Sequence, residues 1–216
     1  MRKYALSLNA ETLQLVSDRE QDNSAWKSLE FNQCPNCPLL PHDTPVCPVA
    51  NNLAILIEDC NELQSHNDVF LEVTTSERVI SASTTVQRGL SSLLGLILAT
   101  SDCPHTHYFR PMARFHLPLA SEEETIYRAA SMYLLAQYFR SGAGMPSDTE
   151  LNGLVDIYHN LQIVNTFLAK RLRSASDSDA TVNAVVLLDL LAKSLPYSIT
   201  DSLQEVRYLF SVYTDT

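Results

Sequence analysis

The sequence predicts an α+β fold: a small antiparallel β-rich N-terminal part with a cysteine loop, packed on a predominantly helical C-terminal half. Short runs before residue 85 alternate apolar and polar with period two. From Val86 onward, apolar residues recur at helical spacing along extended stripes. A length of 216 residues with 45% apolar content fits one domain able to bury a sizeable core. Residues 1–216 therefore read as a single domain, with 1–85 the β-rich part, 34–48 a metal loop and 86–216 the helical part.

Taken in order, Tyr4–Leu8 and Thr12–Val16 alternate about Asn9-Ala10-Glu11, which predicts a hairpin. Asp18–Ser24 is polar and reads as a loop, and Trp26–Asn32 alternates again as a third strand. A helix is expected over Val49–Gln64, with Leu53, Leu56, Ile57, Cys60 and Leu63 on one face; Cys60 thus falls at core spacing, as a buried thiol. Asp68–Thr75 and Arg78–Thr85 form a second hairpin about Ser76-Glu77. Leu90, Leu93, Leu94, Ile97 and Leu98 then mark a buried helix ending near Thr100, and Ser101–Pro118 reads as loop.

Everything beyond is helical. Ser121 and Glu124 have capping-box spacing, in which hydroxyl and carboxylate satisfy each other's free backbone donors, and that helix runs to Arg140 before Gly142-Ala143-Gly144. Asp148–Arg173 carries the stripe Leu151, Leu154, Val155, Tyr158, Leu161, Asn165, Leu168 and Leu172. After a break at Ser174–Asp179, two more helices are expected, Ala180–Ser194 and Ile199–Tyr213, divided by Pro196.

A formal charge of −10 disfavours a nonspecific nucleic-acid binder, which needs clustered cations. The N-terminus lacks the apolar run of a signal peptide, and the longest apolar stretch, Leu93–Thr100, is too short to span a bilayer. A cytoplasmic protein without membrane partners is expected. In that compartment a cysteine cluster points to metal or catalysis rather than to disulfides.

The cluster is Cys34-Pro35-Asn36-Cys37-Pro38-Leu39-Leu40-Pro41-His42-Asp43-Thr44-Pro45-Val46-Cys47-Pro48. Four of the five cysteines, Cys34, Cys37, Cys47 and Cys103, are followed by proline, whereas Cys60 is not. A Cys-Pro step holds the thiol on a stiff, extended backbone, which suits a ligand because little freedom remains to be lost. The four together suit zinc or, alternatively, an iron–sulfur cluster. His42 is an alternative fourth ligand, since Cys34, Cys37, His42 and Cys47 have zinc-knuckle spacing, and His105 is another. Two further readings of the loop are a thioredoxin-like dithiol at Cys34 and Cys37, and inert packing. No helix is expected at the dithiol, because Pro38 and Pro41 follow it.

A second loop, Ser101–His116, concentrates three histidines (His105, His107, His116) with Arg110, Arg114 and Cys103. Arg110 and Arg114 are candidates for binding an anion, or for pairing with Glu122, Glu123 and Glu124. His107 and His116 read as structural. The sequence contains no Ser/His/Asp spacing, Walker loop, Rossmann glycine pattern or H-E-x-x-H helix.

The segments C-P-N-C-P-L, C-P-V-A-N-N-L, V-Q-R-G-L-S-S-L-L-G-L-I-L-A-T-S-D-C-P-H, R-P-M-A-R-F-H-L-P and E-E-E-T-I-Y-R-A-A-S-M-Y-L-L-A-Q-Y-F resemble a bacterial family described only as a domain of unknown function, over residues 30–175. The resemblance implies a bacterial, cytosolic protein and assigns no activity. The family carries glycine where this chain has Asp102, and its pattern does not include His42, which favours Cys103 as fourth ligand. Three functions follow as expectations: a non-enzymatic metal-binding protein with a structural or sensing site, a metal- or thiol-dependent enzyme acting on a small anion, and a helical module binding a protein partner or a second copy of itself.

Overall fold

A computed structural model describes residues 1–16, 24–60, 63–175 and 179–214. The first hairpin is a short one, β1 (Ser7–Leu8) against β2 (Leu15–Val16), with Ser7 opposite Val16 and Leu8 opposite Leu15. The turn is larger than the expected three residues because the Asn9 side chain organises it. Its Oδ1 accepts from the backbone N–H groups of Glu11 and Thr12, and Leu13 takes φ 58°. Of the polar stretch before Trp26, residues 17–23 lie outside the described residues.

The third strand expected over Trp26–Asn32 does not form. Ala25–Lys27 closes as a 3-10 turn, residues 29–32 turn again, and only Ser28 pairs with Val46 in an isolated antiparallel bridge. The reason is where the backbone groups go. The Leu29 N–H donates to the Pro45 carbonyl, while the carbonyls of Trp26, Ser28 and Leu29 all accept from the Arg171 guanidinium. A ladder would need those same carbonyls.

The helix α1 (Pro48–Cys60) follows, with proline at its first position, where a missing N–H costs nothing. Leu53, Leu56, Ile57 and Cys60 are buried as the stripe predicted. The second hairpin forms as expected, β3 (Asp68–Thr74) on β4 (Val79–Thr85) in full antiparallel register from Asp68–Thr85 to Thr74–Val79. Its inner residues Val69, Leu71 and Val73 are half-buried over α2 (Val86–Ala99), and the outer Phe70 is exposed.

The predicted loop Ser101–Pro118 contains a 3-10 turn at His107–Phe109 that runs into the short helix α3 (Arg110–Arg114). Helix α4 (Glu122–Gly142) begins with the capping box in place: the Ser121 hydroxyl accepts from the Glu124 N–H, and the Glu124 carboxylate from the Ser121 N–H. Helix α5 (Asn152–Ala175) starts later than the predicted Asp148, because Asp148 stays outside the helix. Its carboxylate accepts from the N–H groups of Glu150 and Gly153 and from the Tyr133 hydroxyl. Gly153 leaves room for the Tyr133 ring and hydroxyl, which would have to shift if a Cβ were added there.

The two final helices expected on either side of Pro196 are one helix, α6 (Asp179–Val206), followed by a 3-10 turn at Arg207–Phe210 and α7 (Ser211–Thr214). Proline's φ is already helical, so an interior proline forfeits one hydrogen bond without forbidding continuation where packing supports the rest. Of the break predicted at Ser174–Asp179, residues 176–178 lie outside the described residues. Helix α6 packs along α5 and α2. One core joins Leu53 and Leu56 of α1, Leu94 and Ile97 of α2, Leu172 of α5 and Val185 of α6. A second joins Phe109, Ile126, Leu154, Tyr158 and Ala192. The fold class is α+β, as predicted. Among the described residues, no helix is long and apolar enough to cross a membrane.

Candidate metal centre

Each of the Cys-Pro cysteines sits in backbone that proline makes non-helical. Cys34-Pro35-Asn36-Cys37 is a tight turn, with the Cys37 N–H donating to the Cys34 carbonyl at 2.9 Å and proline at the second position, where its φ is pre-set. Cys47 immediately precedes Pro48 and its carbonyl accepts the first bond of α1 from Asn51, so its thiol sits at a helix N-terminus, where negative charge is favoured. Cys103 follows the end of α2 in a turn whose carbonyl accepts from the N–H groups of Thr106 and His107.

These three segments converge. Cys34, Cys37, Cys47 and Cys103 line one cavity of about 30 Å³, together with His105 and Arg171. All five cysteines of the chain are free thiols, and Cys60 lies apart in the core, fully buried, 3.8 Å from the Tyr4 hydroxyl. The division made by proline in the sequence is thus the division in space. Among the described residues, no three His, Cys, Asp or Glu side chains stand close enough to hold a metal ion without rearrangement.

Burial pushes the Cys34 thiol up to about 12, and the neighbouring Cys47, Cys103 and Cys37 reinforce the shift while Arg171 opposes it. Burial also raises Cys103, against the N–H groups of His105 and Thr106 and the Thr106 hydroxyl, which favour its thiolate. Cys34 and Cys103 therefore favour their protonated forms, a preference that a divalent metal would reverse. This is opposite to an activated dithiol, whose nucleophile needs a lowered pKa. No helix starts at Cys34 or Cys37 either.

Two residues that sequence reasoning assigned otherwise, or overlooked, hold the loops together. His105, a candidate ligand, bonds the Asn36 carbonyl through Nε2 at 2.7 Å. A carbonyl only accepts, so Nε2 carries the proton and His105 ties the Cys103 turn to the Cys34 turn. Arg171, from α5, is 2% exposed and donates to the carbonyls of Trp26 at 2.9 Å, Ser28 at 2.6 Å and Leu29 at 2.8 Å. Among the described residues no carboxylate pairs with it. Its charge is left to face the thiols. The signal in the sequence was its place one turn from Leu168 and beside Leu172, inside a buried stripe. Asn36 is further anchored to α5 by its Nδ2, which donates to Asn160 Oδ1 at 2.8 Å.

The other candidates go elsewhere. His42 is exposed at a turn tip, 3.2 Å from the Asp43 carboxylate, and does not line the cavity. Arg110 pairs with Asp102 at 3.0 Å rather than with Glu122, Glu123 or Glu124. Arg114 is exposed, and its charge helps to lower the Glu77 pKa. His107 stacks edge-on against Tyr108, its pKa lowered by burial and by Arg110. His116 lies 3.4 Å from the Ser92 hydroxyl, and burial, then Arg128, lowers it to about 4, so it is neutral.

No curated protein and no solved structure matches the chain. The profile of the family described as Domain of unknown function (DUF6901) matches residues 1–211, well beyond the 30–175 expected from the sequence motifs. The match takes in all four Cys-Pro steps, the Arg171 carbonyl cradle and the helices that carry them, and the chain belongs to this family.

Proposed function

We propose that the protein is a cytoplasmic, non-enzymatic metal-binding protein, with one zinc ion held by Cys34, Cys37, Cys47 and Cys103 as a structural clamp or sensing element. One observation carries the reading: thiols from three separate segments line a single small cavity beside a buried arginine that has no carboxylate partner among the described residues. A four-thiolate zinc site carries net negative charge, which Arg171 and the helix N-terminus at Cys47 would offset. The cavity is about the size of one water molecule, and the thiols would have to turn into it to ligate an ion. Such a site would join the turn before α1 to the end of α2. Elemental analysis of protein purified without added metal tests this, with about one zinc per chain expected. A brown protein with broad visible absorption moves the assignment to an iron–sulfur cluster, and a metal-free protein whose four thiols titrate freely contradicts both.

A second reading, a helical partner-binding module for which the metal is a staple, has its own support. Leu135, Tyr138 and Phe139 of α4 and Leu209, Val212 and Tyr213 near the C-terminus are each more than half exposed. Exposed apolar side chains on both elements support an interaction surface, for a protein partner or a second copy, if they form one patch. Sedimentation of the metal-loaded chain, compared with Tyr138→Glu, tests it; a monomer at every concentration argues against self-association.

A further inference from the structure

A second cavity, of about 430 Å³, lies between α2, α3, α4, α5 and α6, away from the thiols. Its walls are mostly apolar, from residues such as Leu96, Phe109, Met112, Leu161 and Leu188. That volume and lining are those of a small-molecule site. Most polar groups on the wall are already committed. The Thr106 hydroxyl donates to the Leu98 carbonyl at 2.6 Å, Arg128 donates to the carbonyls of Met112 and Phe115 at 2.9 Å each, and the Ser92 hydroxyl accepts from the Leu119 N–H at 3.3 Å.

Asn165 is different. It is 1% exposed, lines this cavity, and neither its Nδ2 nor its Oδ1 finds a partner among the described residues. A buried amide with both functions unmet is costly, and native interiors rarely leave one so unless something else supplies the bonds. The complement of an amide is a group that donates and accepts side by side, namely another carboxamide or a protonated carboxylic acid. The remaining wall calls for hydrocarbon.

We propose that this cavity binds a medium-chain acyl molecule whose carboxamide or neutral carboxylic acid head pairs with Asn165. Octanamide is a direct probe, and N,N-dimethyloctanamide keeps the chain and the acceptor but removes the donors. Isothermal titration of the full chain should show saturable binding of octanamide at one site. The dimethyl analogue should bind at least about tenfold more weakly, the effect of leaving one buried amide function unpaired. Asn165→Leu should bring the two probes to equal affinity. Gly95→Leu supplies a second check from another helix, because a Cβ there meets Leu188 at an ordinary 3.6 Å while the longer side chain narrows the cavity. A folded Gly95→Leu protein should lose octanamide binding. No saturable binding to the wild-type chain, undiminished discrimination in Asn165→Leu, or full binding in Gly95→Leu would each overturn the proposal, leaving a cavity whose amide is served by water.

Discussion

The thiol cavity and the apolar cavity each bury a strongly polar side chain from the same helix, and they treat it in opposite ways. Arg171 donates to three backbone carbonyls drawn from one irregular segment. Asn165, six residues earlier on α5, meets no partner among the described residues. The first arrangement is complete as a hydrogen-bonded scaffold, with the thiols beside it only partly exposed. The second is incomplete as a hydrogen-bonded structure. A buried polar group with all its partners specifies a fold, whereas one without them specifies a guest.

Substitutions on the two sides should therefore move stability in opposite directions. Arg171→Met is expected to be the most damaging, by about 3–5 kcal/mol, because it strands three carbonyls in the interior. Arg171→Lys should recover only part, since one ammonium on a flexible stem cannot replace a planar fork. Denaturant titration of the two variants measures both, and an Arg171→Met protein as stable as wild type would dissolve the contrast.

Acid should act on the apolar side. The folded-state pKa of His116 is lowered to about 4 from 6.5, so the folded protein binds its proton less readily than the unfolded chain does. Its contribution is fully present above pH 6.5 and is lost as pH falls through about 4. The loss is at most about 3 kcal/mol, less what solvent screening removes at this partly exposed ring. The slope of unfolding free energy against pH in that window should diminish in His116→Gln; an unchanged slope assigns the acid sensitivity to other groups.

Asn165→Leu should raise stability by about 1–2 kcal/mol in ligand-free protein, the reverse of Arg171→Met, because it removes an unsatisfied amide. Thermal unfolding without ligand reports this, and a loss of stability would mean that the amide is already served. The smallest effect belongs to His105→Ala, which deletes the bond to the Asn36 carbonyl and should cost about 1 kcal/mol. Metal stoichiometry in that variant should stay at the wild-type value if the ring is a tie between loops, and should fall if it is a ligand.

How much of this was legible in the sequence depended on whether a signal was local. The hairpin Asp68–Thr85, the capping box at Ser121 and the stripe of α5 follow from spacing alone. The Cys-Pro pairing separated the clustered thiols from Cys60 for a local reason too, the stiffness that proline imposes on the residue before it. Trp26–Asn32 was misread because its alternation is real but its carbonyls are claimed by Arg171, far along the chain, as no local pattern reveals. Pro196 was misread because a rule for isolated helices was applied to one packed on α5 and α2. Asn165 stood in plain view as the one amide in the stripe, but only the cavity shows that its bonds are unmet.

The central claim is that the four Cys-Pro thiols act as one metal site. Metal content of wild-type, Cys103→Ser and Cys60→Ser proteins tests it most directly. The account predicts about one zinc per chain in wild type and in Cys60→Ser, and substantial loss in Cys103→Ser. A wild-type chain without metal, or a Cys103→Ser chain that keeps its full complement, would contradict it.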